Sequence, residues 1–360
     1  MKKTKSYVKW LLPLVLLIVI TACGKKEESK PKYMVEPYKE QQFLMGTYVN
    51  VQIFDEGKKD VIPKVYDRIK ELDKKITVNK PGSEVDKINK EAGIKPVKVS
   101  DDVYDLIKDA IKYSKESKGG FDLTIGPITQ LWHIGFDDAR KPEQTEIDRE
   151  LKFVDYHKVI LDDKAKTVYL EEKGMELDLG AIAKGYITDE AVDVLKENDV
   201  TSAIVDLGGN VYVLGDSPRG KTGDWRVGIQ DPNEARNTVV GSVTEKNKSI
   251  VTSGIYERNL EVDGKLYHHL FNGKTGYPFD NEIAGVTIIS ETSIAGDGLS
   301  TAVFSMGVKE GLNFVENRKD IEAIFVTKND DIYLSSGIQD NFKFNEESHY
   351  KVKKSSELKQ

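Results

Sequence analysis

Strand-like runs in this chain are joined by tight turns far more often than by regular helical crossovers. That connectivity points to an α+β fold with antiparallel sheets rather than a doubly wound α/β sheet. The clearest turn is Val262-Asp263-Gly264-Lys265, because Asp-Gly suits the two positive-φ positions of a hairpin. Lys158 to Leu161 and Thr167 to Leu170 face each other across Asp162-Asp163 in the same way. From Ala203 to Ile289 strands and turns dominate. Helices punctuate this pattern. Val61, Val65, Ile69, Leu72 and Ile76 recur at helical spacing. Ser100 is placed to cap a second helix that buries Val103, Leu106, Ile107, Ala110 and Ile111 and stops at Gly119-Gly120. A third is expected from Ala181 to Asn198. A fourth carries Asp297, followed by another near Lys309 to Asn317 and two short strands near 322–335.

The first 22 residues are different in kind. Lys2, Lys3, Lys5 and Lys9 precede an apolar run from Trp10 to Ala22, which is 13 residues and too short for a comfortable membrane span. It reads as the core of a secretory signal peptide. It ends in Ile20-Thr21-Ala22-Cys23, which resembles the lipobox of bacterial lipoproteins, and Cys23 is the sole cysteine. The expected organisation is a signal peptide over 1–22 and a polar tether over 23–42. The main domain then spans 43–345, with order beginning near Met45-Gly46-Thr47, and a polar tail covers 346–360. Cys23 becomes a lipid-bearing N-terminus at the extracytoplasmic face of the cell membrane. Residues 1–22 contain four lysines and no acids, so removing them takes the formal net charge from −7 to −11. An acidic surface repels a phosphate backbone, which argues against a nucleic-acid partner.

Asp297 and Thr301 stand one helical turn apart and share a face. A carboxylate beside a hydroxyl is a hard-oxygen pair suited to Mg²⁺ and substrate phosphates. Leu177-Asp178-Leu179-Gly180-Ala181-Ile182-Ala183-Lys184-Gly185-Tyr186 reads as a strand entering a glycine turn and a helix, where amides can meet an anion and Lys184 can reach it. His268-His269 precedes a turn at Asn272-Gly273, and on a strand only one of two neighbours faces a given site. Phe121-Asp122 offers an aromatic and an acceptor to a flat ligand. Gly208-Gly209-Asn210 and Thr252-Ser253-Gly254 are compact turns. Gly215 to Thr222 fits the phosphate-loop pattern, but Trp225 to Ile229 reads as a strand where that motif requires a helix, so it is taken as a hairpin loop.

Taken in order, these segments closely resemble the ApbE family of FAD:protein FMN transferases. The resemblance runs from Met45-Gly46-Thr47 through Phe121 to Pro127, Leu177 to Tyr186, Gly208-Gly209-Asn210, Thr252-Ser253-Gly254 and His269 to Pro278, and ends at Asp297 to Thr301. It implies a T-fold-like α+β architecture that allows for an internal duplication. It implies Mg²⁺-dependent transfer of FMN from FAD to a Thr or Ser hydroxyl of an exported or membrane acceptor protein, with release of AMP. By the same resemblance, Asp297, Thr301 and the Ala181 carbonyl hold Mg²⁺, and His269 is the base. FAD is expected against Met45, Asn79, Phe121, Asp122, Asp178, Lys184 and Phe271. Two positions depart from the family pattern. Asn272-Gly273 stand where Asp-Pro is common, and Asn79 stands where other members can carry an aromatic. Hydrolysis of FAD to FMN and AMP, or flavin binding without catalysis, are the alternatives.

Overall fold

A computed structural model describes residues 33–219, 222–235 and 238–358. The signal segment, Cys23, and Gly220-Lys221 of the phosphate-loop pattern lie outside the described residues. The organising element is a nine-stranded sheet. Its order is Tyr33–Leu44, Thr47–Asp55, Ser202–Leu207, Asn210–Gly215, Lys248–Gly254, Ile283–Ser290, Ile321–Thr327, Asp331–Leu334 and Lys351–Lys353. Every neighbouring pair is antiparallel except the last, which is parallel. Smaller sheets flank it, among them Val97–Lys98 with the hairpin Val159–Asp162 and Thr167–Leu170, and the pair Asn259–Val262 and Lys265–His268. The latter turns at Asp263 (φ 52°) and Gly264 (φ 76°), the conformation an Asp-Gly hairpin demands. The expected α+β class with antiparallel sheets and packed helices is the one observed.

Helices cover one side of the large sheet because each carries an apolar stripe. Val61–Ile76 turns Val65, Ile69 and Leu72 fully inward, and burying one such side chain contributes about 1.5–3 kcal/mol. Asp101–Glu116 begins after Ser100 as expected, but the Ser100 hydroxyl does not cap it. That hydroxyl and the Ser100 N–H both donate to Glu84, tying this helix to Glu84–Lys90. Ala183–Glu197 and Ser293–Glu316 pack side by side. The second of these contains Gly307 at φ 75°, ψ 173°, so it is two helical segments, and Glu282 accepts the Val308 N–H to start the second one. The expected helix near Lys309 to Asn317 is that second segment.

Three expectations about element boundaries are corrected. Residues 33–42, read as tether, belong to the edge strand Tyr33–Leu44. Its side chains are largely exposed, so it shows little burial pattern, and the backbone ladder to Thr47–Asp55 holds it. The Tyr66 hydroxyl pins it by donating to the carbonyls of Glu40 (2.7 Å) and Val49 (2.9 Å). The tail 346–360, read as loose, adds Lys351–Lys353 to the far edge of the sheet. Tyr350, 4 % exposed, anchors it by donating its hydroxyl to Asp231 (2.7 Å). Finally, Leu177 to Leu179 is extended chain rather than a strand, since only Glu176 makes an isolated bridge, to Ile125. Asn89 takes over as partner there: its side chain accepts the Leu177 N–H (2.8 Å) and donates to the Leu177 carbonyl (3.1 Å).

Tyr350→Ala removes a buried ring and a hydrogen bond to a carboxylate, a change that costs about 3–5 kcal/mol for an aromatic core residue. Urea unfolding should show that loss. A midpoint equal to wild type would mean the 346–358 segment adds nothing to the fold.

Candidate active site

The centre of the site is a close crossing of two helices. Gly185 lies in the first turn of Ala183–Glu197, where a Cβ would stand 2.4 Å from the Ser293 carbonyl oxygen and 2.7 Å from Asp297 Cβ. Only glycine permits that approach. Its N–H then donates to Asp297 Oδ2 (2.9 Å), and Lys184 Nζ pairs with Asp297 Oδ1 (3.2 Å). Asp297 is 3 % exposed, so its charge is kept inside the protein by these two donors. The Ala183–Glu197 helix opens with the Tyr186 N–H on the Ile182 carbonyl, so the Ala181 carbonyl lies before its first backbone bond. No hydrogen bond to that carbonyl is found among the described residues. Thr301 follows Asp297 by one turn on the same helix and is 8 % exposed.

Neighbouring groups fix this crossing. Asp189, one turn after Gly185, accepts the N–H groups of Ser293 (2.7 Å) and Ile294 (2.8 Å). It therefore caps the helix that carries Asp297, whose own cap residue Thr292 makes no side-chain bond. Burial pushes the Asp189 carboxyl up to about 7, against those two bonds. Ser300 shares a 2.8 Å hydrogen bond with Ser253, which fastens the Thr252-Ser253-Gly254 strand end to the same helix. Asp189 was absent from the sequence reading, although its spacing from Gly185 puts both on one helical face.

The two histidines differ in setting, His268 closing the strand Lys265–His268 and His269 lying just beyond it. His268 is 5 % exposed; its Nε2–H donates to the Phe279 carbonyl (2.9 Å) and its Nδ1 accepts the Leu270 N–H (3.2 Å). Both nitrogens are occupied, so it is a structural residue. His269 donates Nδ1–H to the Arg258 carbonyl (3.2 Å), since a carbonyl can only accept, which leaves Nε2 as the unprotonated nitrogen. Desolvation, with the positive charges of Arg258 and Lys184 in support, pushes His269 down to about 4. It is a neutral imidazole over the physiological range.

The remaining candidates fall into place unevenly. Met45 (φ 54°) and Gly46 (φ 71°) form the turn between the first two strands, and Gly46 lies against Arg258. Asp178 accepts from Gly180 N–H (2.8 Å) and Thr129 Oγ1 (2.7 Å), and its N–H reaches the Leu123 carbonyl (2.9 Å). The 121–129 and 177–186 segments are thereby joined. Asp122 accepts from the Thr124 N–H and hydroxyl and from the Tyr156 N–H, and burial raises its carboxyl. It lines a cleft of about 350 Å³ with Val154, Tyr156, Gly273 and Lys274. Phe121 is corrected: its ring is 3 % exposed and lies in the main core, so it offers no face to a ligand. Phe271 is similarly occupied, 8 % exposed and 5.7 Å from the Trp132 ring. Asn79 is exposed on the turn after the Val61–Ile76 helix, and its described bond is local, from its N–H to Thr77 Oγ1. The expected hairpin at Gly215 is corrected: strand Asn210–Gly215 lies in the large sheet and strand Trp225–Gln230 pairs with Val239–Glu245 in a smaller one, so the segment is a crossing between sheets, with no intervening helix among the described residues.

Comparison with known proteins follows the same segments. A family model described as "ApbE family" matches residues 45–325. The chain is 42% identical over 293 residues to an FAD:protein FMN transferase of Klebsiella pneumoniae, covering 81% of this chain and 90% of that one. It is 30% identical over 352 residues to the FAD:protein FMN transferase of Treponema pallidum, covering 93% and 96%. Among solved structures, the ApbE protein of Thermotoga maritima superposes with a TM-score of 0.77 at 31% identity, covering 84% of this chain and 98% of that one. The flavinyl transferase ApbE of Pseudomonas stutzeri, apo form, gives 0.71 at 27% identity, with coverages of 81% and 92%.

Two measurements test this geometry. Gly185→Ala forces the helices apart and should destabilise by about 1–3 kcal/mol; an unchanged thermal midpoint would show that the crossing is loose. Burial holds His268 at about 4 when folded, against about 6.5 when unfolded. Its contribution is therefore complete above pH 6.5 and is lost as pH falls toward 4, by roughly 3 kcal/mol. The difference in unfolding free energy between wild type and His268→Gln should shrink over that window. A difference independent of pH would refute the neutral, doubly bonded imidazole.

Proposed function

Because the chain belongs to the ApbE family and transfers FMN from FAD to an acceptor protein, we propose that the accepting group is a Thr or Ser hydroxyl and that Mg²⁺ is the required ion. The hydroxyl oxygen forms a bond to the FMN-side phosphorus while the anhydride bond to AMP breaks. The product is a phosphoester, and AMP leaves.

The observation that carries this reading is the arrangement around Asp297. A buried carboxylate, a hydroxyl one turn away and a backbone carbonyl with no donor among the described residues make an oxygen set suited to a hard divalent ion. No cluster of three or more His, Cys, Asp or Glu side chains exists among the described residues, so such an ion would rely on neutral oxygens and on the phosphates themselves. Asp297, Thr301 and the Ala181 carbonyl would hold Mg²⁺, which would neutralise charge on the diphosphate. The Lys184 ammonium that pairs with Asp297 stands at the place where a cation is wanted, and it is free to turn to a phosphate oxygen once the carboxylate has another partner. His269 presents Nε2 without a proton and can accept one from the attacking hydroxyl. Asp178, held by Thr129 and Gly180 ahead of the Ala183–Glu197 helix, would orient the flavin end.

The lipobox-like sequence at Cys23 supports a lipid anchor at the extracytoplasmic face of the cell membrane, with 24–32 as the remaining tether. An acceptor reached from that position is itself exported or membrane-bound. No helix among the described residues is long and apolar enough to cross a membrane.

Asp297→Asn keeps the shape but removes the charge. It should lower transfer to a candidate exported acceptor by at least about 10³-fold, while the far-ultraviolet spectrum and thermal midpoint stay near wild type. Mass spectrometry of the acceptor after incubation with FAD and Mg²⁺ reads the FMN adduct. Wild-type levels of adduct with Asp297→Asn would overturn the assignment, and AMP release without an adduct would point to hydrolysis instead.

A further inference from the structure

Arg258 has an unusual setting for an exposed arginine. Its side chain runs between two loops that both lack a side chain at the point of contact. A Cβ on Gly135 (φ 97°) would stand 2.8 Å from Arg258 Cδ, and one on Gly46 (φ 71°) would stand 3.8 Å from Arg258 Nη2. Positive φ at both positions favours glycine independently of the contact. No carboxylate pairs with the guanidinium among the described residues. Arg68, Arg140, Arg149 and Arg318 pair with acids, while Arg219 and Arg226 bond to the Val35 carbonyl and the Ser242 hydroxyl. In a protein of net charge −7, a cation confined by two backbones and left unmatched calls for an anionic partner.

Its position says which anion. The Arg258 carbonyl accepts both the His269 N–H (3.2 Å) and the His269 ring Nδ1–H (3.2 Å). The Arg258 backbone therefore holds the His269 ring. Gly46 also belongs to the Met45-Gly46-Thr47 turn at the end of the first strand pair. Arg258 thus joins His269 to the Met45 turn.

We propose that the Arg258 guanidinium binds a phosphate of FAD, while its carbonyl fixes His269 with Nε2 free for the acceptor hydroxyl. The planar guanidinium offers paired N–H donors that match two phosphate oxygens. Held by Gly46 and Gly135, it loses little side-chain freedom on binding, which favours affinity. Lys184 reaches the diphosphate from the helix side and Arg258 from the hairpin side. The proposal rests on the FMN-transfer reading and adds the residue that holds the substrate's anionic link.

The test compares ligands with and without a diphosphate. Wild type, Arg258→Met and Arg258→Lys are titrated with FAD and with riboflavin, in the presence of Mg²⁺. Methionine keeps the stem between the two glycines but removes charge and donors. Arg258→Met should bind FAD about 10- to 100-fold more weakly and riboflavin as wild type does, with Arg258→Lys in between for FAD. Equal FAD affinity in wild type and Arg258→Met would overturn the proposal and leave FMN transfer standing. An equal loss for FAD and riboflavin would also overturn it, since that marks a residue that only shapes the pocket. Failure of wild type to bind FAD at all would overturn both readings.

Discussion

The contact between Gly185 and Asp297 is the constraint from which the rest of the site follows. Two helices from distant parts of the chain meet where one has no Cβ, and the amide exposed by that absence satisfies a buried carboxylate. A larger residue would fill the gap and remove the donor's access at the same time. A single missing methyl group therefore sets both the separation of the helices and the donor that reaches Asp297.

Support for that crossing comes from the sheet and from Asp189. The Lys248–Gly254 strand touches the Asp297 helix through Ser253 and Ser300, and the helix begins on the Asp189 carboxylate. These contacts tie Asp297 to rigid elements rather than to a loop, the condition for holding a reacting group within a few tenths of an ångström. By contrast, the groups expected to touch the flavin sit on turns: Met45 between two strands, Asn79 after a helix, Asp122 before a short helix. The helix crossing is built on rigid elements, and these groups on the connections between them.

Much of this was legible in the sequence where the signal is local. The Asp263-Gly264 hairpin, the helical stripe from Val61 to Ile76 and the shared face of Asp297 and Thr301 depend on neighbouring residues alone. The edge strand Tyr33–Leu44 was not legible, because a strand held by its backbone ladder needs no apolar pattern. The tail was missed for a related reason: Tyr350 is one buried ring in a polar segment, and its partner Asp231 lies more than a hundred residues away. Phe121 and Phe271 were over-read, since an aromatic beside a motif looks the same whether its ring faces a ligand or the core. Arg258 carried no sequence signal, as its setting is made by Gly46 and Gly135 from two other segments.

The charge balance gives these details a common cause. The chain is acidic overall, yet it acts on a dinucleotide whose reacting link is itself anionic. Long-range attraction cannot help, so positive charge has to be supplied locally and held in place. Lys184 is held by its pairing with Asp297, and Arg258 by the approach of two glycines. Those same charges add to burial in working against protonation of His269, so its imidazole stays neutral. Cations that attract the substrate and an imidazole kept neutral are thus two results of one arrangement, and a change that weakens the first also shifts the second.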